Sequence, residues 1–267
     1  GPSPSPAPAP PIVPPADQAT INHLLARTTF GATPELVDQV RTVGWSQWLA
    51  TQLDHESVAD PSGDAVRSLY PEMAADITAT RSAIREFSWD SMFALGQGTV
   101  GLAIWSRRQL FEVMVDFWSN HLNVTNPSDS VWDNRQHYDR AVIRAHALGR
   151  FEDMLIASAT HPAMLLYLDS ATNRRSHPNE NFARELLELF TLGEGHYSEA
   201  DIKAAARAFT GWTINRETGR FVNQLQNHDD GEKTFLGQTG RFDGELAVTT
   251  ISAPAGTAAS MHARTVT

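Results

Sequence analysis

The sequence contains no cysteine. Disulfides, iron–sulfur clusters and cysteine-ligated zinc are thereby excluded, and any metal would rest on His, Asp, Glu or Asn. No run of about 18 apolar residues occurs, which is the length a membrane-spanning helix needs. Positive charge is scarce: 21 Lys and Arg stand against 31 Asp and Glu, for a net charge of −10. Duplex binding needs cations that displace phosphate counterions, so no nucleic-acid partner is expected. An acidic surface is also repelled by anionic membranes. The phosphate loop, the dinucleotide fingerprint, HExxH and G-x-S-x-G are all missing. Strand-like alternation is scarce before residue 213.

What is present is an apolar fraction of 41% in 267 residues, enough for a substantial core. Residues 1–18 hold eight of the fifteen prolines. Proline fixes φ and removes a donor, so this stretch reads as an extended, unpacked linker of the kind that tethers exported domains. Residues 19–243 read as one helical domain. Residues 244–267 carry no aromatic residue and one acid, and read as a weakly structured tail or the point where a longer domain was cut short.

The expected fold is all-α, an irregular multi-helix bundle with a short loop and hairpin region near 213–243. Thr33 precedes Pro34, a cap followed by a proline at the first helical position. Residues 54–65 read as a loop. Further helices are expected over 66–95, 102–122, 133–148, 151–160, 162–170, 179–192 and 199–210. Ser198 and Asp201 have capping-box spacing.

The segment HPNENFARELLELFTLGEG, residues 177–195, concentrates polar groups. On a helical wheel Phe182, Ala183, Leu186, Leu187, Leu189 and Phe190 share one face, and Glu180, Arg184 and Glu188 share the other. That is the pattern of a surface helix with a ladder of ion pairs. Asn181 and Glu185 fall at the margin between the faces, where a half-buried carboxylate needs a partner from another helix. His121 can supply it. In RRQLFEVMVDFWSNHLNV, residues 107–124, His121 lands near the centre of an apolar arc, and Asn120 at its edge. A buried imidazole must be hydrogen-bonded, metal-bound or paired with a carboxylate.

In DNRQHYDRAVIRAHALG the residues Asp133, His137, Arg140 and Arg144 share one polar face, read as solvated. The i, i+4 spacing of Asp133 and His137 suits a metal, but two arginines there point to pairing with carboxylates. His146 borders the apolar side. His161, before Pro162, is expected to make a helix-end hydrogen bond, and Asp169 to cap or meet an arginine. NHDDG, residues 227–231, has loop carboxylates but lacks the ligand spacing of a calcium loop. The seven tryptophans are stacking candidates, although helical spacing makes most look like core.

FWSNHLNV (117–124), HPAMLLYLD (161–169), NENFARELLELFTLG (179–193) and DIKAAARAFTGW (201–212) resemble the bacterial domain-of-unknown-function family 1800. INHLLARTTFGATPELVDQV (21–40) and HDDGEKTFLG (228–237) are also similar to it. The resemblance covers about residues 19–243 and departs from Gly244 onward. It implies a mostly helical, commonly exported protein. It places His121, Asn179, Glu180, Asn181, Arg184, Glu185 and Glu188 at motif positions, and it brings no activity.

The functional expectation is an exported hydrolase, secreted or held in the periplasm or cell envelope, with a buried cluster of His121, Asn181, Arg184 and Glu185. Glu185 or His121 would act as base, Arg184 would stabilise negative charge, and Asn181 would orient substrate. A divalent metal held by His121 with Glu180 or Glu185 is a variant. The alternatives are a non-enzymatic envelope module for an extracellular polysaccharide or protein partner, and an inactive partial domain.

Overall fold

The computed structural model describes residues 17–252. Among them the chain is mostly helical, with two short two-stranded sheets. The N-terminal unit is α1 (Gln18–Thr28), α2 (Pro34–Val43) and α3 (Trp45–Leu53). Asp17 caps α1 through the Thr20 amide, and Thr33 caps α2 through Leu36 as expected. Ile21, Leu25, Val40 and Trp48 close a small core of their own.

The expected helix over 66–95 is three pieces: α4 (Pro61–Leu69), α5 (Ile77–Ala83) and α6 (Asp90–Trp105). Pro71 cannot continue α4, and Asp76 starts α5 by accepting from the Ala79 amide. The 54–65 segment is correspondingly not all loop, since α4 begins at Pro61. The expected 102–122 helix is also interrupted, between α6 and α7 (Gln109–His121). The cause is buried Asp60, which accepts from the Ser106 hydroxyl at 2.9 Å and the Arg107 amide at 2.8 Å and turns the chain.

α8 (Arg135–Tyr138) runs into a π-helical stretch, Asp139–Arg144. After it come α9 (Phe151–Ala159), α10 (Pro162–Tyr167) and α11 (Glu180–Glu185). A second π-helical stretch, Leu186–Thr191, extends α11, with the Leu192 amide reaching back five residues to the Leu187 carbonyl. α12 (Glu199–Ala208) carries the expected capping box of Ser198 and Asp201. The main core gathers α7 to α12, with Tyr138, Phe182 and Phe209 among its fully buried rings.

Two hairpins follow where one was expected. β1 (Trp212–Ile214) pairs antiparallel with β2 (Phe221–Asn223), and β3 (Lys233–Phe235) with β4 (Gln238–Gly240). Entry to the first requires Gly211, whose φ is +90° and whose missing Cβ would lie 2.7 Å from the Gln224 carbonyl oxygen. Gly195 has a similar φ of +86° but open space around it. Gly211→Ala should therefore lower stability by about 2–3 kcal/mol and Gly195→Ala by about 1. Chemical denaturation of the two variants side by side separates the steric part from the backbone part.

The segment after Asp243 does not begin as a weak tail. Gly244–Ser252 forms α13, which buries Ala247, Val248 and Ile251 against α9 and α12. Small and β-branched apolar residues at helical spacing suffice here because the surface they meet is already apolar. Residues 1–16 of the expected linker and 253–267 of the expected tail lie outside the described residues.

Candidate functional site

The four residues expected to form one centre are placed separately. His121, at the end of α7, is half-buried and packed beside Phe117, Trp118 and Phe151. Its Nε2 lies 2.8 Å from the Phe190 carbonyl oxygen. A carbonyl only accepts, so Nε2 carries the proton. The imidazole thus satisfies a carbonyl in the last turn of the α11 extension, where helical carbonyls lose their own partners. Asn181 is nine residues earlier, a rise of about 13 Å along a helix. It is exposed, and its Nδ2 donates to the Leu168 carbonyl at 3.2 Å. Arg184 makes a two-pronged bond to Glu199 at 2.8 and 2.9 Å and approaches Glu180 at 3.7 Å. Glu185 is half-buried and bonded to none of these.

The density of amides around Asn179 and Asn181 has a structural explanation. Asn179 donates from Nδ2 to the Asp169 carbonyl and from its backbone to Asn173 Oδ1, while Asn173 Nδ2 reaches the Ala206 carbonyl. These bonds tie the end of α10, the start of α11 and α12 into one corner. Glu188 accepts from the Tyr197 hydroxyl at 2.9 Å. The surface-helix reading of this segment therefore describes it better than the reaction-centre reading.

For the expected metal, the geometry offers no cradle: among the described residues no group of three or more His, Asp or Glu is disposed to hold an ion. Asp133 does not join His137 but pairs with Arg81 and is buried; of the face expected to be solvated only Arg140 is exposed, His137 and Arg144 being half-buried. In the 227–231 loop the cation is internal. The buried Lys233 ammonium donates to the carbonyls of Asp229 and Gly231, and the Asp229 carboxylate pairs with Arg207.

The chemistry-bearing residues that do converge lie on α8 and at the start of α10. His161 is buried ahead of Pro162 and makes the helix-end bond expected of it, its Nδ1 accepting from the Ala163 amide at 3.1 Å. Its Nε2 stands 2.8 Å from His137 Nδ1. The amide settles the proton positions. His161 Nδ1 must be bare to accept, so the neutral ring carries its proton on Nε2 and donates to His137 Nδ1. His137 then carries its own proton on Nε2. Burial pushes the His161 pKa down to about 3, helped by His137 and the Arg135 charge. Burial also holds His137 below the usual histidine value, with Arg140 and Arg220 acting in the same sense and Asp76 opposing. Both rings are neutral at pH 7.

The frame around this pair is buried, hydrogen-bonded and carries the Arg135 charge. Tyr138, fully buried, donates to the Leu122 carbonyl at 2.9 Å and meets the Ser158 hydroxyl at 2.8 Å. Arg135 donates to the Val124 carbonyl and to the Ser119 hydroxyl. Its Nη1, Asn134 Oδ1 and Gln136 Oε1 are buried without a hydrogen-bond partner among the described residues, three orphaned polar atoms on consecutive residues. Such atoms are rare in folded proteins and mark sites where stability is not the only constraint. On the far side of the π-helical stretch Arg144 binds both carboxylate oxygens of Glu112 and one of Asp139. π-helical turns occur often at functional sites.

Sequence reasoning placed His137 on a polar face and His161 at a helix break but did not join them. Their 24-residue separation carries no periodic signal. Glu112 was missed because it sits among apolar residues of α7. A buried acid there has meaning only with Arg144 opposite, and the two arginines had already pointed to carboxylate partners. A groove of about 1270 Å³ lies elsewhere, lined by residues of α2, α3 and α6.

A family model described as "Protein of unknown function (DUF1800)" matches residues 23–265. The match runs past Asp243, through the stretch that the sequence motifs had suggested departs from the family. No curated protein and no solved structure matches the chain.

Proposed function

Because the chain belongs to the DUF1800 family, whose description names no reaction, we propose a function from the geometry: an exported hydrolase in which His137, not His121, engages the reacting group. The observation that carries this reading is the His137–His161 bond of 2.8 Å with its proton positions fixed by the Ala163 amide. That arrangement makes His137 a neutral donor. A neutral imidazole N–H offered to a carbonyl or phosphoryl oxygen stabilises the negative charge that develops as water attacks. The Arg140 and Arg220 charges add positive field at the His137 ring. The exposed Asp76 carboxylate, which uses Oδ1 to cap α5, is the nearby group able to take a proton from water. His137 itself is unsuited to be the base. Accepting at Nε2 would require its proton on Nδ1, facing the proton on His161. The Pro-rich residues 1–18 support an extracellular or envelope setting.

The test is turnover of chromogenic carboxylic esters, phosphate esters and glycosides by the intact chain. His137→Ala should lower kcat about 10²–10³-fold on the accepted class, with a smaller change in KM. His121→Ala should lower thermal stability and leave kcat unchanged in the folded protein. Histidine ¹⁵N shifts should show His137 neutral, with its proton on Nε2, at pH 7. Turnover of none of the three classes, or a His137→Ala variant as fast as the parent, would dispose of the proposal.

A further inference from the structure

At the N-terminal end of α6 the chain exposes Phe87 (58%), Trp89 (41%) and Phe93 (52%). Half-buried Trp132 joins them, held to α6 by the bond from the Ser91 hydroxyl to its carbonyl at 3.1 Å. The rings form two pairs, Phe87 with Trp132 at 6.2 Å and Trp89 with Phe93 at 6.0 Å. The Trp89 indole is not free to collapse onto the core, because its Nε1 donates to Asp129 Oδ1 at 2.7 Å.

Phe87 adds an independent sign. Its φ is +62°, a conformation that bulky L residues rarely adopt. The residue is exposed, so core packing does not explain the strain. Strained backbone of this kind is found at ligand clamps. Asp129 meets the Trp89 indole directly, and Glu86, Ser88, Asp90 and Ser130 flank the aromatic residues in sequence.

We propose that this aromatic cluster is a binding surface for a neutral polysaccharide. Aromatic faces cover the apolar faces of sugar rings, and carboxylates and hydroxyls at the rim take up sugar hydroxyl bonds. The acidic rim and the net charge of −10 disfavour polyanionic chains, nucleic acids and anionic lipid. The surface is formed by α6 and the 126–132 segment and uses none of His137, His161 or Asp76. It therefore stands independently of the hydrolytic reading.

The experiment is retention of the intact chain on insoluble cellulose and chitin, with tryptophan fluorescence titration by cellohexaose and chitohexaose. Retention on at least one polymer is expected. Trp89→Ala and Phe93→Ala should each weaken binding at least tenfold. Trp105→Ala, an exposed tryptophan at the other end of α6, should have no effect. Phe87→Gly guards against misfolding as an explanation: glycine accepts φ +62°, so this variant should keep or raise its melting temperature and still bind at least tenfold more weakly. No binding to any of the four probes overturns the proposal. So does unchanged binding by Trp89→Ala, or a requirement for a Lys-rich or Pro-rich peptide in place of sugar.

Discussion

Replacing His161 by Asn should remove much of the protein's acid sensitivity between pH 6.5 and 4.5. In the folded chain the His161 pKa is pushed down to about 3, against 6.5 in the unfolded chain. Between those values the unfolded state holds a proton that the folded state refuses, so stability rises with pH across this window. Above about pH 7.5 neither state is protonated and the effect vanishes. As pH falls, the loss from this ring alone is about 1 kcal/mol at pH 5.5 and about 3 kcal/mol at pH 4.5. His137, also held low, contributes in the same direction. Asparagine is the informative replacement because its Oδ1 still accepts from the Ala163 amide as a helix cap. The variant should therefore fold, lose about 1–2 kcal/mol at pH 7.5 from its missing bond to His137, and show a flatter pH profile. Urea unfolding at pH 7.5, 5.5 and 4.5 measures both. Parallel profiles for parent and variant would mean that His161 is not buried in its neutral form. The variant also bears on the site: without the His161 donor, His137 is no longer held in one tautomer, and the ¹⁵N pattern should become mixed.

The second large effect is expected at Arg144. Its guanidinium lies between Glu112 and Asp139 at 2.8–3.1 Å, and both carboxylates are almost completely buried. The two acids raise the Arg144 pKa against the opposing effect of burial, so it stays charged. Arg144→Met would strand two carboxylates in the interior and should lower stability by about 3–5 kcal/mol. The Glu112→Leu, Arg144→Met double variant should recover at least 1 kcal/mol of that loss. Removing the second charge relieves the desolvation that the first substitution left uncompensated, and Arg135 remains beside Asp139. A double variant less stable than Arg144→Met would show that Glu112 contributes through shape and packing rather than charge. The cluster links α7 to the π-helical stretch that follows His137, so loosening it should also perturb the His137 resonances.

The two cases show how far the sequence reaches. Capping residues were legible wherever a single side chain acts on its own helix: Thr33, Ser198 with Asp201, and His161 before Pro162. The apolar face of the 179–192 segment was legible for the same reason, since one period defines it. The breaks at residues 70–76 and 106–108 were not. Pro71 gave a local signal, but the interruption after Trp105 depends on Asp60, more than forty residues away. α13 was misread because nine mostly small residues look weak in isolation and become core only against α9 and α12.

The candidate site divides along the same line. His121 was expected to meet the Asn181 and Glu185 edge of the α11 segment, but a helix wheel gives an angle and no depth. It could not tell that the ring meets the Phe190 carbonyl rather than Glu185. Composition and period determined that this chain is mostly helical, free of cysteine chemistry and poor in cationic surface, because those properties are sums over residues or repeats within one element. Which histidine meets which, which carboxylate loses water and which aromatic rings stay exposed were decided only when distant helices packed. Each depends on the distance between groups far apart in the chain, and that distance is fixed by the shape of the whole core.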